Sequence, residues 1–167
     1  MASSSDPAEQ PAACCPPAVA SVVQHRQACP TCGRQGKAVG VATVRAQLAI
    51  SLRSVTGEAY RFCATSGCPV VYFSPDGVEQ FTTGQLRELV FQKAPGSPAA
   101  LVCYCFQHSL GVIQDADAHT RAQILADITA GVQAGQCACD LRNPQGTCCL
   151  GNVRRVVQGA PLEASSL

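Results

Sequence analysis

Twelve cysteines stand in this chain of 167 residues, and they fall in close pairs: Cys14-Cys15, Cys29-x-x-Cys32, Cys63-x4-Cys68, Cys103-x-Cys105, Cys137-x-Cys139 and Cys148-Cys149. No other feature restricts the fold as much. The opening Met1-Ala-Ser-Ser-Ser-Asp6 has neither a positive stretch nor an apolar one, so no secretory signal is read there and a cytoplasmic protein is expected. In a reducing compartment thiols stay thiols or bind metal, and disulfides are transient. Buried cysteines acting as small hydrophobes account for two or three of them, not for twelve in pairs. The expectation is therefore a metalloprotein. Charge narrows the partners: 12 Lys+Arg against 11 Asp+Glu, net +1, leaves no basic surplus to displace counterions from nucleic acid or to clamp an anionic membrane. No apolar run approaches the roughly 18 residues that span a bilayer.

Composition and periodicity divide the chain into an α+β unit and a helical one. Residues 1–27 are rich in Ser, Pro, Ala and Gln and read as a disordered tail. Order is expected to begin at Cys29-Pro-Thr-Cys32-Gly33. Over residues 43–53, Val44, Leu48 and Leu52 recur every four positions behind a candidate N-cap, Thr43, which predicts one short helix. From residue 59 the pattern turns to β-branched and aromatic residues. Tyr60-Arg-Phe62-Cys63 and Pro69-Val-Val-Tyr-Phe73 read as strands, joined by the turn Ala64-Thr-Ser-Gly67, and residues 84–93 read as one more strand. Ala94-Pro-Gly-Ser-Pro98 reads as a linker. Residues 28–98 are then a small α+β unit, of a size at which a metal commonly makes up for a small core. Residues 99–158 read as a helical, helix-turn-helix unit. Ser109 caps a segment through Ile113. A cap within 115–117 opens a helix with Ile124, Leu125, Ile128 and Val132 on one stripe, stopping at Gly135, and a last short helix lies near 152–157. Residues 159–167 read as a second tail.

Cys29, Cys32, Cys63 and Cys68 form the first candidate site. Two thiolate pairs on two turns close a tetrahedron around zinc, each pair biting one edge. The Pro and Gly beside the first pair suit a tight knuckle whose N–H groups point at sulfur. A redox-active C-x-x-C lacks the strand–helix context it needs here, and no open coordination position marks a catalytic zinc. His25, just before the knuckle, is an alternative fourth ligand. The second set is Cys103-x-Cys105, about thirty residues of helix, then Cys139 and Cys149 around Asn143-Pro-Gln-Gly146. One-residue spacing cramps closure on a single zinc ion, whereas an iron–sulfur cluster offers several ligation points, so the spacing leaves a cluster and a second zinc both open. The Cys14-Cys15 pair is either unligated or a site for a soft ion such as Cu(I).

Val102-Cys-Tyr-Cys-Phe106, the helices after it and Cys-x-Cys-x3-Asn-Pro-x-Gly-x-Cys-Cys-Leu150-Gly151 resemble the N-terminal module of CopZ-type copper chaperones. Cys29-Pro-x-Cys-Gly33, Tyr60-x-Phe-Cys63 and Cys68-Pro-Val-Val-Tyr-Phe73 carry the same resemblance in the first half, so that it spans about residues 28–157. The part from Leu101 onward is also similar to bacterioferritin-associated ferredoxin. The resemblance implies a zinc site beside a 2Fe–2S cluster, with Cys103, Cys105, Cys139 and Cys149 as cluster ligands. Choosing Cys139 over Cys137 rests on counting back from Asn143, and Cys148 against Cys149 is left open in the same way. It further implies one-electron transfer tied to copper or another soft metal, with Cu(II) reduction before hand-off, and a redox protein partner. A ferredoxin-like partner of an oxidoreductase or iron store and a structural two-zinc adaptor are the rivals. The Met-x-Cys-x-x-Cys motif of the full chaperones does not occur in these residues, so delivery through it is not expected. In such a site the helix after Phe106 is expected to aim N–H groups at Cys103 and Cys105, and Asp140 to oppose added negative charge.

Enzyme signatures are missing from the sequence. There is no H-E-x-x-H, no G-x-S-x-G and no dinucleotide fingerprint, and Gly33-Arg-Gln-Gly-Lys37 is too short for a phosphate loop. His108 and His119 read as surface residues on or beside helices, with His108, three residues after Cys105, the one within reach of a redox site.

Overall fold

A computed structural model describes residues 27–160. Cys14, Cys15, His25 and most of the expected terminal tails lie outside the described residues.

The fold is α+β. An antiparallel sheet carries strands β1 (Lys37–Val39), β2 (Tyr60–Phe62), β3 (Val70–Phe73) and β4 (Gln80–Thr82) in the order β1-β2-β3-β4. Helix α1 (Val41–Gln47) joins β1 to the rest. The helical half begins with a small hairpin, β5 (Leu101–Cys103) and β6 (His108–Ser109). It continues through α2 (Leu110–Asp115), α3 (Ala118–Gln133), α4 (Cys139–Arg142) and α5 (Leu150–Val157). No helix among the described residues is long and apolar enough to cross a membrane.

β3 decides the layout of the first half. All four of its residues are buried, as a central strand covered on both faces requires. Its register against β4 shifts between Val70 and Tyr72, where two steps along β3 match one along β4. One extra residue in a strand reverses which face the following side chains take. Val70 and Phe73, three apart, accordingly share one apolar cluster with Cys29, Cys63 and Cys68. Val71 and Tyr72 belong to the main core with Val44, Leu48, Tyr60, Phe62 and Phe81. A third cluster fills the helical half around Val102, Leu110, Ile113, Ile128 and Val153.

Two expectations for the first half require correction. The helix predicted over 43–53 ends at Gln47, and Thr43 is not its cap: Gly40 holds that position and Thr43 is buried inside the helix. Leu48 is extended and bridges Leu86, while the Ala49 N–H donates to the Gln85 carbonyl and the Arg87 N–H to the Gln47 carbonyl. Pairing across the fold thus wins over the four-residue periodicity, and Leu52 is left 47% exposed in a separate 3-10 turn. The strand expected over 84–93 shrinks to that bridge, flanked by 3-10 turns at Thr83–Gln85 and Phe91–Lys93, the first closed by a Thr82–Gln85 capping box.

The helical half follows its sequence signals more closely. Ser109 accepts from the Val112 N–H at the start of α2, and Asp117 from the Thr120 N–H at the start of α3. Past the end of α3, Gly135 takes φ +70°, the left-handed turn that favours glycine.

Candidate metal centres

In the first half four thiols converge. Cys29 and Cys32 sit on the turn before β1, Cys63 follows β2, and Cys68 precedes β3, so two chain crossings deliver two pairs. The four sulfurs all lie within 4.8 Å of one another. Cys29 Sγ is 3.8 Å from Cys68 Sγ and Cys32 Sγ is 3.6 Å from Cys63 Sγ. A zinc–sulfur bond of about 2.3 Å sets a tetrahedral edge of about 3.8 Å, so the donor set fits zinc in chemistry and in size.

The knuckles explain how thiolates are tolerated there. The Cys29 N–H donates to the Arg34 carbonyl and the Gly33 N–H to the Cys29 carbonyl, with Gly33 at φ +71°. This curl turns the Thr31 and Cys32 N–H groups toward the Cys29 sulfur, the Arg34 N–H toward Cys32 and, on the other knuckle, the Val70 N–H toward Cys68. Burial nevertheless pushes the Cys29 thiol up, and pushes Cys68 up to about 12. Cys32 goes the other way. Burial opposes its ionisation, but the Thr65 hydroxyl, the Arg34 N–H and the Cys63 and Cys29 thiols bring it down to about 6. The Thr65 oxygen lies 3.5 Å from Cys32 Sγ, and Lys93 Nζ donates to the Thr65 carbonyl at 2.8 Å, placing a cation beside the site. Thr65 and Lys93 escaped the sequence reading because neither is spaced as a ligand.

The second set is arranged differently. Cys105 Sγ lies 3.6 Å from Cys139 Sγ, and Cys103 pairs with Cys149. Among the described residues the first set is the one group of three or more potential ligand side chains with all donor atoms within 4.8 Å. The second set is therefore two close pairs and not one compact tetrahedron. Cys139 begins α4 and Cys149 caps α5. Of the neighbours, Cys137 is half-buried and Cys148 is exposed. The ten described cysteines form no disulfide.

Backbone N–H groups again face sulfur: Phe106 and Cys105 toward Cys103, Cys149 toward Cys139, and Ala138 toward Cys105 at 3.4 Å. The donors at Cys103 come from the tight turn after β5, in which Gln107 takes φ +59°, and not from a helix starting after Phe106. The helix begins only at Leu110, because residues 108–109 first pair back onto β5 as β6. His108 accordingly lies on a strand, opposite Cys103, while His119 is exposed on α3. The Cys149 thiol brings Cys103 down to about 6 against the effect of burial; Cys149 itself is pushed up by Cys103 and by burial. Burial pushes Cys139 up to about 12. Each set thus brings one thiol down, Cys32 in the first and Cys103 in the second, beside two that are pushed up.

The loop between Cys139 and Cys149 is built on Asn143. That side chain is buried, donates to the Thr147 carbonyl at 2.5 Å and accepts from the Gln145 N–H at 3.1 Å. Gly146 closes the turn at φ +66°.

Comparison with known proteins adds two findings. Residues 26–87 match the CopZ family model described as a zinc binding domain. The fold is similar to the X-ray structure of the Archaeoglobus fulgidus CopZ N-terminal domain, with a TM-score of 0.58 and 28% sequence identity over 80% of this chain and 98% of that one. No curated protein matches. Together with the four converging thiols, these findings support a CopZ-type zinc module in the first half of the chain.

Proposed function

We propose that Cys29, Cys32, Cys63 and Cys68 hold a structural zinc, and that Cys103, Cys105, Cys139 and Cys149 hold a 2Fe–2S cluster for one-electron transfer in copper or other soft-metal handling. The observation that carries this reading is the arrangement of the second set as two thiol pairs. Four thiols in two close pairs would suit a two-metal group, whereas a single zinc ion would draw its four donors into one tetrahedron like that of the first set. When bound, such a group supplies a one-electron couple.

The protein's part is to hold and tune. The N–H groups of Phe106, Cys105, Cys149 and Ala138 face the sulfurs of Cys103, Cys139 and Cys105 and would stabilise negative charge there, more so after reduction. Asp140, exposed on the first turn of α4, opposes that charge. Cys105 is half-buried while its partner Cys139 is buried, so one edge of the site faces outward. A short path to a docked redox partner, or to a Cu(II) ion as substrate, needs such an edge. The chain is read as an electron carrier and not as an enzyme.

The test uses reduced full-length protein mixed anaerobically with Cu(II). About one Cu(I) per reduced chain is expected, above a Cys103→Ser control that lacks the redox group but keeps its other thiols. Equal Cu(I) from both would refute the copper part and leave a ferredoxin-like carrier; a colourless protein with about two zinc per chain would replace the reading with a two-zinc adaptor.

A further inference from the structure

The loop that carries Cys139 and Cys149 belongs to the helical half by sequence but is fastened to the other half. Three side chains of the sheet-bearing half donate to its carbonyls: Thr43 Oγ1 to Asp140 at 2.5 Å, Gln47 Nε2 to Leu141 at 2.7 Å and Tyr72 OH to Pro144 at 2.7 Å. Thr43 and Gln47 lie one turn apart on α1 and are both buried, although each is polar. Tyr72 is fully buried on β3, and burial pushes its phenol well above the usual range, so it stays a proton donor at any physiological pH. Gly146 sits so close that a Cβ there would lie 2.9 Å from Val39 Cγ2 and 3.1 Å from Thr43 Oγ1. The other ligand segment is held in the same manner. Tyr104, between Cys103 and Cys105, donates through its hydroxyl to the Leu89 carbonyl and accepts from the Phe91 N–H, both at 3.0 Å.

Buried polar side chains are kept where their bonds are made, and these bonds are made to the ligand loop. We propose that Thr43, Gln47 and Tyr72 are positioning residues through which the zinc-bearing half holds Cys139 and Cys149 in register with Cys103 and Cys105, so that zinc occupancy governs how firmly the second centre is retained. The part concerning the second centre rests on the 2Fe–2S reading above; the clasp itself does not. Zinc closes the knuckles around β2 and β3, β3 carries Tyr72, and the same core seats α1. Losing zinc loosens that scaffold, and the donors leave three carbonyls of the loop without partners.

The test compares full-length Thr43→Val, Gln47→Met and Tyr72→Phe, each removing a donor at nearly constant shape, singly and together. Cluster loss from anaerobic protein in the presence of an iron chelator, followed by visible absorbance, is expected to be about three- to tenfold faster in each single variant and faster again in the triple, with zinc content unchanged. The midpoint potential of the triple variant should move positive as water reaches the sulfurs, which a general loss of stability would not produce. Thr43→Ser, which keeps the hydroxyl, should restore the wild-type rate. Adding Cys32→Ser to remove zinc should speed loss strongly in the wild-type background and by a smaller factor in the triple variant, where the clasp on residues 139–149 is already open and only the Tyr104 hold remains to be lost. A second readout needs no cluster: amide hydrogen exchange over residues 139–147 in zinc-loaded protein should rise about tenfold in the triple variant. Unchanged exchange there, or an equal effect of Cys32→Ser in both backgrounds, overturns the proposal. A wild-type protein without a cluster overturns the 2Fe–2S reading and leaves exchange to decide the clasp.

Discussion

Gly146→Ala puts the seam between the two halves to a quantitative test. Gly146 takes φ +66° and Gly135 takes φ +70°, so an alanine at either position pays a left-handed backbone cost of about 1–2 kcal/mol. Their surroundings differ. A Cβ on Gly135 would meet nothing within 4 Å, whereas one on Gly146 would lie 2.9 Å from Val39 Cγ2 and 3.1 Å from Thr43 Oγ1. Val39 is only 8% exposed, and retreat of the loop instead strains the carbonyls that Thr43, Gln47 and Tyr72 hold. Overpacking of that kind adds about 1–3 kcal/mol. Urea denaturation of anaerobic protein at matched zinc content should then show Gly135→Ala losing about 1–2 kcal/mol and Gly146→Ala about 2–5 kcal/mol. Val39→Ala in the Gly146→Ala background removes the nearest atom, so the two changes together should cost less than their sum by about 1 kcal/mol. Equal losses at the two glycines, or strict additivity with Val39→Ala, would refute the packing of the loop against the first half.

Further outcomes separate the two centres and the surface network. Cys32→Ser should release zinc and melt the sheet-bearing half, read by zinc analysis and by loss of near-ultraviolet circular dichroism from Tyr60 and Tyr72, because metal binding there is folding energy. Cys103→Ser or Cys149→Ser should bleach the visible spectrum and spare zinc, while exposed Cys148→Ser should retain both; bleaching by Cys148→Ser alone would reassign the ligand. Glu79 accepts from the Thr56 and Gly57 N–H groups and from the Thr56 and Tyr60 hydroxyls. Burial works against its ionisation, but those bonds hold its carboxyl below the ordinary value. Its contribution is therefore complete above about pH 4.5 and fades as pH falls through the lowered value. Glu79→Gln should cost about 1–2 kcal/mol at pH 7, and its deficit against wild type should shrink on acidification.

What the sequence disclosed, and what it did not, follows from how local each determinant is. Caps and glycine stops are local, so the Ser109 cap, a cap within 115–117 (Asp117 in the structure) and the end of α3 near Gly135 could be read directly. The pairing of thiols on turns is also local, and Cys29, Cys32, Cys63 and Cys68 come together as their two knuckles suggested. Long-range pairing is not local. The Leu48–Leu86 bridge cuts short the helix that the spacing of Val44, Leu48 and Leu52 predicts, and leaves no strand in residues 84–93 beyond itself. β1 and β4, three residues each, are too short to show alternation. Thr43 is the instructive error. Its residue type fits an N-cap, yet its hydroxyl is spent on the Asp140 carbonyl 97 residues away in sequence, a partner that no local pattern announces. Gln47, Tyr72 and Lys93 donate to carbonyls supplied by distant parts of the chain, and Thr65 meets the Cys32 thiol 33 residues away, so no local spacing marks any of them.

The most direct measurement is iron, zinc and acid-labile sulfide analysis of full-length protein purified without exposure to air, with its absorption spectrum. Two thiol pairs beside one compact tetrahedron predict a red-brown protein with about two iron, two sulfide and one zinc per chain. A colourless preparation with zinc at both centres and no sulfide would contradict the account.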